Sequence, residues 1–219
     1  MITLEIDPST FDGDNNPPEV EVDDICIVNP EGNWHLYNHG HLELTKNCDE
    51  QYLSFWESPT YAIKDLLVVG GGDLQVASKF IEEYRCNVDV VDPYVSMYKD
   101  FHEFYLNKKF SYSFYRNHIN FIEQTFFNFL GKEHTRKFYD LVCIDCSEPV
   151  MGLTDEIYSE QFFDLLKLIN TDYYMMYMPP TVYDKLVPIL RQNFTMISSK
   201  GDFVNDWNEQ CDIITFKKK

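Results

Sequence analysis

Two stretches of the chain place acidic side chains where an apolar run gives way to a loop. In YDLVCIDCSEP the run ends at Asp145, and Glu148 follows three residues later beside Pro149. Carboxylates so spaced at a strand end can hold a diamine and take a proton from an ammonium, which cannot attack at neutral pH until it is deprotonated. In LLVVGGGDLQVASKF another apolar run passes through Gly70, Gly71 and Gly72 into a helical pattern. Glycines there permit a tight turn and close approach of a ligand, and the start of the helix offers N–H groups. A nucleoside suits that place, and a purely structural turn is the other reading.

Asp92 ends the run VDVVD, 19 residues after Asp73. An acid at this point of a Rossmann-like unit accepts hydrogen bonds from ribose hydroxyls; an Asp before Pro93 also serves as a helix cap. The glycine run lacks the full dinucleotide pattern and a nearby base for phosphate, which favours a single nucleoside. Asp73 sets a negative charge where a helix N-terminus would welcome an anion. The ammonium of decarboxylated S-adenosylmethionine pairs with such a group, whereas the carboxylate of S-adenosylmethionine is repelled. Alternatively, Asp73 caps its own helix.

The elements that must position these residues follow from periodicity. Strands are predicted at 66–70, 88–92, 112–115, 139–145, 173–178, 194–199 and 211–216, with helices at 74–84, 94–106, 118–130, 156–169 and 181–192. Near-continuous apolar strands joined by crossover helices imply a parallel sheet covered on both faces. The last two strands form an antiparallel hairpin in this reading. Before them, ICIV, WHLY and HLELT are separated by Pro, Gly and Asn and predict a small antiparallel sheet, followed by a short helix over 49–57. The division is an acidic N-terminal arm with a small β-domain at 1–58 and a Rossmann-like domain at 59–219. The fold class is α/β.

The 219 residues carry 36 acids against 18 bases, a formal net charge of −18. That balance disfavours nucleic acid and anionic membrane surfaces and favours cationic small molecules. Ten of the acids fall in residues 1–45, which have no Lys or Arg. No apolar run reaches the ~18 residues of a membrane span, and the first residues lack the pattern of a signal peptide, so the expectation is a cytoplasmic protein. The six cysteines read as free thiols. Neither Cys143 with Cys146 nor His39 with His41 has the further ligands a metal needs, so no metal is expected.

Together these motifs resemble the spermidine synthases, the polyamine aminopropyltransferases. The glycine motif followed by Asp is matched by Gly70, Gly71, Gly72 and Asp73, and the Asp-Ser-x-Asp-Pro gate loop by Asp145, Cys146, Ser147, Glu148 and Pro149. Gly152, Tyr158, Phe162 and Phe163 follow in the family's order, and HGHLELTKNCDEQY resembles the stretch that ends in a substrate-contacting Tyr, here Tyr52. The similarity runs over about residues 34–200. It implies a seven-stranded, methyltransferase-like sheet after a small β-domain, a homodimer, and transfer of an aminopropyl group from decarboxylated S-adenosylmethionine to a polyamine. Putrescine is the first choice of acceptor, 5′-methylthioadenosine leaves, and no tightly bound cofactor takes part. By the same resemblance Asp145 is the general base or its orienting acid, Glu148 and Tyr52 join it at the acceptor with Glu43 and Tyr158, Asp73 binds the aminopropyl ammonium and Asp92 the ribose.

Several positions depart from the family. Leu74 and Gln75 stand where further glycines are usual, and Asn117 aligns with the acid that receives the adenine amino group, its side-chain oxygen still an acceptor. Glu43 replaces a Gln, Leu53 follows Tyr52 where a Gln is usual, and Glu148 replaces an Asp. Two competing readings remain: an S-adenosylmethionine methyltransferase on the same fold, and a catalytically silent homologue that binds nucleosides or polyamines or regulates a partner subunit.

Overall fold

A computed structural model describes residues 2–4, 26–28, 35–38, 41–45, 52–98, 101–103, 105–106, 112–130, 137–146, 158–204 and 210–219. The first four strands, β1 (Ile2–Leu4), β2 (Cys26–Val28), β3 (His35–Asn38) and β4 (His41–Thr45), form one sheet in that order. The expected antiparallel meander is β2 to β4, and β1 adds to it in parallel.

The larger sheet has seven strands. Its members are β5 (Asp65–Gly70), β6 (Asn87–Val91), β7 (Ile119–Ile122), β8 (Leu141–Asp145), β9 (Tyr173–Met178), β10 (Phe194–Val204) and β11 (Gln210–Lys218), in the order β10-β11-β9-β8-β5-β6-β7. From β9 to β7 every pairing is parallel, while β11 runs antiparallel to both β9 and β10. This is the Rossmann-like, methyltransferase-type sheet the sequence predicts, with its closing hairpin.

Burial explains the strand compositions. Leu66 and Val68 of β5 join one core cluster and Leu67 and Val69 join another, the period of two dividing one strand between two faces. The first face is covered by α1 (Gln75–Tyr84) through Ala77, Phe80 and Ile81, and Leu36 and Trp56 belong to the same cluster. The second is covered by α4 (Glu160–Leu166) and α5 (Pro180–Asn193) through Phe162, Leu166, Leu186 and Leu190. Ser159 caps α4, its Oγ accepting the Phe162 N–H at 3.3 Å.

The middle of the chain differs from expectation. The aromatic run 112–115, predicted as a strand, lies in helix α2 (Tyr112–Arg116), and the strand of this unit is β7, inside the helix predicted at 118–130. Only α3 (Phe126–Leu130) remains helical there. Tertiary contacts outweigh the β-propensity of YSFY: Tyr115 donates to Glu82 at 2.5 Å and Arg85 stands over the Phe114 ring at 4.5 Å. Within the helix predicted at 94–106, a 3-10 turn occupies Val95–Tyr98, and residues 101–103 and 105–106 are helical.

At the amino edge of the sheet the charges are paired. Asp89 accepts from Tyr139 at 2.7 Å, Asn120 at 3.0 Å and Lys137 at 3.0 Å, and Lys137 also meets Asp65 at 3.1 Å. Burial alone would raise the Asp89 carboxyl, but these bonds outweigh it and hold the group below its ordinary value. Among the described residues no helix is long and apolar enough to cross a membrane.

Candidate functional site

The sheet has one topological switch point at its carboxyl edge. From β5 the chain goes to β6 on one side, and β8 occupies the other. Such a crevice is where open α/β sheets hold ligands. Across it Gly70 and Asp145 are register partners.

The three glycines make room for two carboxylates. Gly70 and Gly71 take left-handed φ values of 75° and 64°. A Cβ on Gly70 would lie 2.2 Å from the Asp145 carbonyl oxygen, and one on Gly71 would lie 3.1 Å from Asp145 Oδ2. At Gly72 it would lie 2.9 Å from Asp92 Oδ2. No side chain larger than hydrogen fits beside these acids without displacing them.

Asp145 ends β8 and is oriented by Tyr52, whose hydroxyl donates to its Oδ1. Tyr52 stands in the helical residues 52–55, its ring edge-on to Trp56 and to Tyr177, each at 5.9 Å between centroids. The Asp145 carboxyl is raised to about 6, first by burial and also by the Asp92 charge, against the Tyr52 hydrogen bond that pulls it down. The Tyr52 hydroxyl is itself raised well above its ordinary value, first by burial and then by Asp145, so it stays a proton donor. A desolvated, oriented carboxylate that titrates near neutrality suits proton abstraction.

Asp92 follows β6. Its Oδ1 accepts the Tyr94 N–H at 2.7 Å, and the Gly72 N–H also bonds to the carboxylate. Burial raises its pKa against these two bonds. A carboxylate offers about four acceptor sites, so capacity remains for ribose hydroxyls. Asp73 takes part of its capping role, Oδ1 accepting the Gln75 N–H at 3.1 Å, and its charge is also felt by Tyr52. Leu74, placed where a glycine is usual, adopts a left-handed φ of 67° and is fully buried. That conformation costs about 1–2 kcal/mol for a non-glycine residue, offset by the burial of its side chain, worth roughly 1.5–3 kcal/mol.

Gly70, Gly71, Gly72, Asp73, Asp92, Tyr52 and Asp145 therefore come together. Asn117 does not. It precedes β7 and lies at the opposite, amino edge of the sheet, exposed. The residues that leave β7 at the carboxyl edge are Glu123 and Gln124; Glu123 accepts from the Ser96 N–H at 3.1 Å and hydroxyl at 2.6 Å, and the Asp92 N–H bonds to Ile122 O at 3.2 Å. Tyr158 is buried, and its hydroxyl donates to Cys146 O at 3.1 Å, at the exit of β8. Glu43 lies on β4, and Glu148 lies outside the described residues.

Sequence reasoning missed two contributors. Tyr177 borders Tyr52, its hydroxyl 3.1 Å from Cys211 Sγ; the signal was a polar-tipped aromatic at the carboxyl end of an apolar strand. His102 reaches the Gly72 carbonyl, and its signal was a histidine inside an aromatic helical stripe.

The two edges of the sheet contrast in charge. Asp65 and Asp89 share Lys137 at the amino edge, whereas no Lys or Arg among the described residues forms an ion pair with Asp92 or Asp145. A cation entering the crevice would relieve the repulsion between them.

Residues 56–176 match the spermine/spermidine synthase domain, more than half of the chain. Among solved structures the chain is similar to spermidine synthase from Thermotoga maritima, with TM-score 0.62 and 14% identity over 91% of this chain and 71% of that one. It is also similar to a spermidine synthase in complex with the transition state analogue AdoDATO, with TM-score 0.58 and 15% identity over 85% and 66% of the two chains. The N-methyltransferase NodS from Bradyrhizobium japonicum WM9 shares the fold at TM-score 0.54 and 14% identity over 79% and 95%. No curated protein matches the chain.

Proposed function

The chain belongs to the spermine/spermidine synthase family, and from that premise we propose that it is an aminopropyltransferase that moves the aminopropyl group of decarboxylated S-adenosylmethionine to a polyamine, with putrescine as acceptor. The carrying observation is the Asp145 carboxylate, set against the glycine turn at the switch point and oriented by Tyr52. In the proposed reaction Asp145 takes a proton from the acceptor's ammonium. The freed nitrogen lone pair then attacks the carbon next to the sulfonium, the carbon–sulfur bond breaks, and its electrons remain on sulfur in 5′-methylthioadenosine. Sulfonium is already an activated leaving group, so the protein's work is alignment and proton removal. Asp92 would hold the ribose, and Asp73 the ammonium of the transferred chain.

A methyltransferase would bind its nucleoside at the same edge, and the NodS likeness concerns the fold alone. The charge of Asp73 favours the decarboxylated co-substrate over one that bears a carboxylate. The Tyr52 to Asp145 bond favours a working site over a silent one. The test is release of 5′-methylthioadenosine when putrescine is added to the protein with decarboxylated S-adenosylmethionine. Release that depends on the amine supports the proposal; S-adenosylhomocysteine formed from S-adenosylmethionine and the same amine would replace it with methyl transfer.

A further inference from the structure

We infer that His102 is a positioning residue of the nucleoside site: the bond from its Nε2–H to the Gly72 carbonyl fixes the glycine turn, and it acts on co-substrate binding instead of on the transfer step. The inference rests on the reading of this turn as a nucleoside site. His102 is 2% exposed and lies 2.5 Å from Gly72 O. Its ring lies nearly parallel to those of Phe121, at 5.3 Å and 2°, and Tyr98, at 6.3 Å and 11°. A ring stacked on aromatics would pack as well as Phe, and burying an imidazole is unfavourable unless it is hydrogen-bonded. The bond to Gly72 is what the imidazole adds.

The protonation state is fixed by its surroundings. Burial lowers the His102 pKa to about 4, against the Gly72 bond that raises it, so the ring is neutral at neutral pH. A carbonyl only accepts, so the single proton resides on Nε2. Gly72 is then held from two sides, its carbonyl by His102 and its N–H by Asp92. In a planar trans peptide the carbonyl and the following N–H point in opposite directions, so this bond turns the Asp73 N–H away from the buried ring. Two residues further on, Leu74 occupies a left-handed position without the freedom of glycine. A turn strained there needs its neighbouring peptide held.

The test compares His102→Phe, which keeps the stacked ring and removes the donor, with His102→Gln, whose amide places an N–H at similar reach. Each purified variant is titrated calorimetrically with 5′-methylthioadenosine and assayed for turnover. Loss of one buried hydrogen bond predicts about tenfold weaker nucleoside binding for Phe and a matching rise in co-substrate KM, with kcat within about twofold. Gln restores most of the affinity. Should the Phe variant not fold, His102→Met fills the space without an N–H and gives the same comparison. Wild-type affinity in the donorless variant, or equal losses in Gln and Phe, would overturn the role of His102. A wild-type protein that binds no adenine nucleoside would instead overturn the proposed function, and this role with it.

Discussion

The Tyr52 hydroxyl donates to Oδ1 of Asp145 across 93 positions of sequence. The bond joins the helical residues before the large sheet to the strand end at its switch point. It opposes two influences that raise the Asp145 pKa, burial and the charge of Asp92. The balance leaves a carboxylate that is charged at neutral pH and still basic enough to take a proton.

Asp145→Asn removes the base while keeping its shape. Turnover is expected to fall about 10²- to 10⁴-fold, with affinity for 5′-methylthioadenosine changed little, as product assay and calorimetry would show. Stability should move the other way. The folded pKa of about 6 lies above the ordinary 3.8, so Asp145 contributes stability that is full below pH 3.8 and lost as pH rises through 6. At pH 7.5 the Asn variant is expected to have the higher Tm, and the advantage should vanish toward pH 4.

Tyr52→Phe deletes the one hydrogen bond that pulls the Asp145 pKa down. The acid limb of the kcat/KM profile, expected near pH 6 in the wild type, should move up by roughly half to one pH unit. A limb that stays in place would mean that another group titrates there.

Gly70→Ala and Gly71→Ala separate fold from site. At Gly70 the new Cβ meets backbone at 2.2 Å, so a loss of about 3 kcal/mol or more is expected, read as a fall in Tm of roughly 10 °C. At Gly71 it meets Val68 Cγ1 at 2.9 Å and the Asp145 carboxylate at 3.1 Å. That variant should lose turnover out of proportion to its smaller fall in Tm.

Leu74→Gly sets two magnitudes against each other. Glycine relieves about 1–2 kcal/mol of left-handed strain, but removing a fully buried leucine costs roughly 2–5 kcal/mol. A net loss of up to about 4 kcal/mol is expected in thermal unfolding. A more stable variant would show that the strain outweighs the packing.

Much of this arrangement was legible in the sequence because burial on both faces writes continuous apolar runs. LLVVG, YDLVCID and YYMMYM announce β5, β8 and β9, and the residues that end the first two, with Asp92, lie at the switch point. The unit between β6 and β8 was not legible. Asn117 rests on the resemblance, which aligns it with the acid that receives the adenine amino group, whereas β7 begins at Ile119 and leaves Asn117 at the amino end, so that Glu123 and Gln124 follow the strand at the ligand edge. His102 was hidden for a different reason: Tyr98, Phe101 and Tyr105 give its helical stripe the look of plain core, and nothing local points to a carbonyl 30 positions away.

The measurement that bears most directly on the central claim is mass spectrometry of products after the purified protein is incubated with decarboxylated S-adenosylmethionine and a mixture of putrescine, cadaverine, spermidine and agmatine, with Asp145→Asn in parallel. The predicted result is 5′-methylthioadenosine together with aminopropylated putrescine, both nearly absent from the variant. No aminopropylated amine from the wild type, while a spermidine synthase run alongside is active, would contradict it.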